Sequence, residues 1–140
     1  MLVLAACTSA TGSDGHFVEQ SYTVFAVNGN SPDSKTFYGA GGERISIPRG
    51  TLLLHKDGTV EEQLQYVVYF PNGVVNIAAT DTVTGHYEWN QAQYDIRMPN
   101  ATGSEIYSGS VHPGVDLFQL DRSWVKNGVT VTVTITYAKT

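Results

Sequence analysis

Apolar and polar residues alternate with a period of two along most of this chain, and no window holds a helical period of 3.6. The last stretch shows it best. Val129, Val131, Val133, Ile135 and Tyr137 alternate with Thr130, Thr132, Thr134, Thr136 and Ala138. One face is apolar and the other hydroxylic, as a half-buried antiparallel strand requires, and β-branched residues on both faces suit the pleat. A second unit spans residues 51–70. Residues 51–56 read as a strand and Asp57-Gly58 as a type I′ hairpin turn with φ > 0 at both positions. Residues 59–70 form a long return strand, with Val60, Leu64, Tyr66, Val68 and Phe70 on one face and Glu61, Gln63 and Gln65 on the other. Pro71-Asn72-Gly73 turns the chain into residues 74–79.

Weaker alternation predicts strands at 21–27, 44–47 (stopping at Pro48), 85–90, 94–98, 105–111 and 115–120, with an irregular loop over 29–42. Gly or Pro interrupts almost every candidate helix. The expectation is therefore an all-β domain of eight or nine sequential antiparallel strands, closed as an up-and-down barrel. A β-sandwich shares the same alternation and is the alternative. Pairing of residues 21–27 with the final strand would favour the barrel.

Composition narrows the partners. Charged residues make up 15% of the 140-residue chain and the formal net charge is −5. That balance disfavours nucleic acid, whose phosphates need a cationic face. The single cysteine, Cys7, excludes an intrachain disulfide and a cysteine-based zinc site. No apolar run is long enough to span a bilayer as a helix.

The residues around that cysteine point to an address. Leu4-Ala5-Ala6-Cys7 followed by Thr8 and Ser9 resembles the lipobox of bacterial lipoproteins, in which the cysteine is lipidated and becomes the mature N-terminus. The resemblance implies that residues 1–6 are the remnant of a signal peptide. It further implies that Cys7 anchors the protein in the bacterial cell envelope, at the outer membrane facing the periplasm or at the cell surface. Acyl chains hold such an anchor at about 0.8 kcal/mol per buried CH₂. Residues 8–15 carry no large apolar side chain and read as a tether of roughly 15 Å average span. The expected division is lipidated cysteine and tether over 7–19, then one domain over 20–140.

Three further stretches carry a second resemblance. Tyr22-Thr23-Val24-Phe25-Ala26-Val27-Asn28-Gly29, Gly50 through Thr59, and Thr84-Gly85-His86-Tyr87 follow one another as in small bacterial lipocalin-like domains of the calycin group. The resemblance implies an eight-stranded barrel, hollow and ligand-binding in some members and filled in others. The Gly-x-Trp motif of true lipocalins is missing near Tyr22; the tryptophans are Trp89 and Trp124.

Alternation puts Tyr66, Tyr87, Trp89 and Tyr94 on inward faces with Met98 nearby, an aromatic wall suited either to an apolar ligand or to filling a small barrel. Glu62 breaks the apolar face of its strand. It is expected at the solvent end of the strand beside Asp57-Gly58, or else as a polar contact for a ligand. His16, His55, His86 and His112 lack metal-ligand spacing, and His86 with Glu88 reads as an exposed strand face. No Gly-x-Ser-x-Gly elbow occurs. Asn100-Ala101-Thr102 is a formal glycosylation sequon that reads as a loop. The expectations are a non-enzymatic binding module for a small apolar or aromatic ligand, no cofactor and no metal. A packed structural or interaction lipoprotein is the alternative, and an enzyme ranks third.

Overall fold

A computed structural model describes residues 16–72 and 76–140. Nine strands run antiparallel: β1 (Gln20–Val27), β2 (Thr36–Phe37), β3 (Arg44–Leu54), β4 (Thr59–Tyr69), β5 (Asn76–Asn90), β6 (Gln93–Pro99), β7 (Glu105–Val111), β8 (Leu117–Lys126) and β9 (Val129–Lys139). They form one sheet in the order β7-β6-β5-β4-β3-β1-β9-β8, with β2 added to β3. The sheet curls until β7 meets β8, giving a nearly closed up-and-down barrel. β1 does pair with β9, from Tyr22 opposite Lys139 to Val27 opposite Ile135. The seam instead lies between β7 and β8, where no ladder joins the two among the described residues. There the backbones approach closely. A Cβ built on Gly109 would stand 2.4 Å from the Gln119 carbonyl oxygen, so only glycine lets β7 come this near.

Alternation dictates the interior as expected. Even-numbered residues of β4, β6 and β8 and odd-numbered residues of β5 and β9 point inward. Ile45, Ile47, Leu52, Val60, Ile96, Leu120, Val131 and Ile135 are completely buried.

Several boundaries differ from the sequence reading. Residues 44–47 and 51–54 belong to one strand, β3, which passes through Pro48. The register shifts between Ser46 and Arg49 there, and Pro48 is exposed. At such a bulge no ladder needs the N–H that proline lacks. Residues 76–90 form one long strand rather than two short ones, and β8 continues six residues past Leu120 to Lys126. The Asp57-Gly58 turn is not type I′, because only Gly58 has a positive φ (88°). Its Asp57 carboxylate instead accepts the Thr59 N–H at 2.9 Å. Two-residue turns with both φ positive occur at Asn28-Gly29, Gln91-Ala92 and Asn127-Gly128.

Residues 16–19 pack against the barrel. They lie across the barrel end that carries the β3–β4 and β5–β6 turns, and form a strap there. Phe17 packs on Tyr87 with ring centres 4.8 Å apart, and His16 stacks on Trp89 at 4.3 Å with the planes 4° apart. Residues 1–15, including Cys7 and the expected signal remnant, lie outside the described residues.

Candidate functional site

The aromatic residues singled out from the sequence separate into two places. Tyr87, Trp89 and Tyr94 form one cluster at the strap end, with ring centres 5.0 to 5.4 Å apart. The strap fills the space they would offer a ligand. The Tyr87 hydroxyl donates to the His55 carbonyl at 2.6 Å and accepts the Val18 N–H at 3.0 Å, and the Tyr94 hydroxyl donates to the His16 carbonyl. Burial, the largest cause, pushes the Tyr87 hydroxyl up to about 12. Met98 is completely buried. Of these four only Tyr87 borders a surface recess, an open one shared with Phe17, His86 and Glu105.

Tyr66 sits far from that cluster. It pairs with Ala79 on β5, eight residues before Tyr87, or roughly 25 Å along a strand. β6 covers β5 only from His86 to Asn90. Residues 76–85 therefore have β4 on one side and no ladder partner on the other among the described residues. The far half of β8 faces them across the gap. The result is a mouth in the side of the barrel of about 290 Å³. Leu64, Tyr66, Val83 and Trp124 give it apolar and aromatic walls, and the Tyr66 and Trp124 rings meet edge to face at 5.3 Å.

Two ion pairs frame the mouth. At its floor Glu62 is 1% exposed and Arg122 2%. The Arg122 guanidinium reaches the Glu62 carboxylate through Nη2 at 2.8 Å and Nε at 2.9 Å, and donates through Nη1 to the Pro99 carbonyl at 3.0 Å. Tyr137 donates its hydroxyl to Glu62 Oε2 at 2.6 Å. Glu62 is thus not at the solvent end of its strand: an arginine from β8 makes an inward carboxylate tenable, which burial alone would forbid. At the rim Lys126 Nζ meets Asp81 Oδ1 at 3.1 Å, and Tyr66 donates to Asp81 Oδ2 at 2.7 Å. Burial, helped by the Asp81 carboxylate and opposed by the Trp124 indole, raises the Tyr66 hydroxyl well above the usual tyrosine value. The Trp124 indole N–H is buried close enough to the Tyr66 hydroxyl to act on it, but makes no hydrogen bond of ordinary geometry among the described residues.

Sequence reasoning named Glu62 and Tyr66 but missed Asp81, Arg122, Trp124 and Lys126. Their only sequence signal was a break: Asp81 and Arg122 interrupt the apolar alternation of β5 and β8, as Glu62 interrupts that of β4. Inward polar residues on three strands could have been paired by charge.

The histidines serve elsewhere. His55 Nδ1 meets Glu19 Oε1 at 3.2 Å and its Nε2 meets Glu61 Oε1 at 3.5 Å, tying the strap to the barrel. The Lys56 N–H donates to the other Glu19 oxygen at 2.6 Å. Burial works to lower the His55 imidazole, but the hydrogen bonds and charges of Glu19 and Glu61 outweigh it and the net shift is upward. His86 bonds Glu105 at 2.7 Å. Among the described residues no group of three or more His, Cys, Asp or Glu is placed to hold a metal ion. Asn100 accepts the backbone N–H groups of Thr102 and Ser104, closing the β6–β7 loop over the sequon. No family model, no curated protein and no solved structure matches this chain.

Proposed function

We propose that the protein is a lipocalin-like binding module that takes a small apolar or aromatic ligand through the mouth between β5 and β8. The observation that carries this reading is the mouth itself: a concave, partly apolar recess with a few convergent polar groups. The ligand site of the proposal is Glu62, Tyr66, Asp81, Arg122, Trp124 and Lys126, and no longer the strap-end cluster. Chemical-shift mapping with indole as probe tests it. Shifts are expected over residues 62–66, 81–83 and 122–126, and Val83→Trp, which fills the mouth, should abolish them. Shifts confined to the strap end, or none, would overturn the reading.

The proposal places the module in the bacterial envelope on a lipid carried by Cys7. Support comes from the lipobox-like Leu4-Ala5-Ala6-Cys7 alone. Mass spectrometry of envelope-derived protein should find diacylglyceryl-cysteine; an unmodified Cys7 would end the claim. One observation favours a second reading, a packed barrel working through its surface: at the strap end the rings of Phe17, Tyr87 and Tyr94 pack on one another.

A further inference from the structure

The charges around the mouth are already matched. At the floor, Glu62 is held by Arg122 and Tyr137, and Arg122 spends a further donor on the Pro99 carbonyl. At the rim, Asp81 is held by Lys126 and Tyr66. An entering carboxylate or ammonium would either break one of these pairs or be desolvated with no counter-ion of its own, and both are costly in a recess of this kind. The walls contributed by Leu64, Val83 and the two rings favour an apolar body. One donor in the wall, the buried Trp124 indole N–H, makes no hydrogen bond of ordinary geometry among the described residues. Buried donors are rarely left without an acceptor, and a ligand can supply it.

We infer that the mouth selects uncharged ligands, single-ring or branched molecules carrying one carbonyl-type acceptor for Trp124, over carboxylates and amines of the same shape. The volume of about 290 Å³ lies at the small end of ligand sites and restricts the body to about one ring. This selectivity rests on the mouth being a binding site at all.

Calorimetry on the unaltered protein compares phenylacetamide, phenylacetate, phenethylammonium and propylbenzene. The amide is expected to bind at least tenfold more tightly than either ion. Trp124→Phe keeps an aromatic wall but removes the N–H. It should weaken the amide about fivefold, the usual size of one neutral hydrogen bond, and leave propylbenzene unchanged. In Trp89→Phe protein, where Trp124 is the only tryptophan, its emission should respond to the amide. An ion that binds as tightly as the amide would overturn the selectivity and leave the binding site standing. If no probe binds up to its solubility limit, the selectivity and the site both fall.

Discussion

At the scale of single residues the decisive feature is the Glu62–Arg122 pair. Both groups are almost wholly out of water, and their separation of 2.8 Å is maintained by Tyr137 and the Pro99 carbonyl. A buried pair of this kind need not stabilise the fold relative to apolar residues of the same volume, yet removing one member leaves an uncompensated charge. Arg122→Met should therefore destabilise the protein by about 3–5 kcal/mol in urea denaturation. The double replacement Glu62→Leu with Arg122→Met should recover most of that loss. If the single and double variants are equally unstable, the pair is not the origin of the effect. The double variant would also leave the mouth with an apolar floor, so its recovery would mark the pair as serving the site more than the fold.

At the scale of elements, the strap is attached to the barrel by a clasp whose strength depends on pH. The Lys56 backbone N–H and the His55 ring hold the Glu19 carboxylate below its ordinary value of 4.5. His55 is raised above 6.5. A depressed carboxylate contributes when pH is above its unfolded value and loses that contribution as pH falls through the folded one. A raised histidine contributes when pH is below its unfolded value and loses that contribution as pH rises through the folded one. The clasp is therefore complete between about pH 4.5 and 6.5. It loosens above the raised His55 value as the imidazole becomes neutral. Amide exchange at residues 17–19, corrected for intrinsic rates, should be slowest in that window, and Glu19→Gln should flatten the profile. A flat profile in the unaltered protein would show that aromatic packing alone holds the strap.

The elements also show what was legible beforehand. β4 and β9 were readable because every inward position but one is apolar, so period-two alternation survives. β3 was split at Pro48 because a proline outside the ladder at a bulge looks, in one dimension, like a strand end. The far half of β8 and the middle of β5 were missed for a different reason. Asp81 and Arg122 point inward against partners on other strands, and a pairing between residues 60 positions apart in sequence leaves no local trace. The wall segments that form the mouth were hidden by the polar residues that make it a site. The aromatic wall failed differently: alternation gives the face of Tyr66 and Tyr87 correctly but says nothing of their separation along the barrel, nor of a strap folding back over one end.

On the scale of the whole molecule, burial acts on many tyrosines at once. Tyr22, Tyr38, Tyr66, Tyr87 and Tyr137 are all raised above the ordinary tyrosine value of 10.0, with burial the largest cause in each. Stability from such groups is complete below the unfolded value and is lost as pH rises toward and through the folded ones. The protein should unfold cooperatively in alkali, beginning above about pH 10, with phenolate absorbance and loss of β-sheet circular dichroism rising together. Tyr137→Phe should move the midpoint upward if the variant retains its neutral-pH fold. Phenolate absorbance that saturates while the sheet signal persists would contradict the assignment.

The closure at Gly109 has a mechanical meaning. Around most of the circumference, widening the barrel would mean breaking backbone ladders. Between β7 and β8 it means only separating packed surfaces, with no ladder to tear. The cylinder is therefore a spring clip, stiff along its strands and compliant across one line. Because that line ends where β8 borders the mouth, a slight relaxation of the clip enlarges the entrance without unfolding a strand.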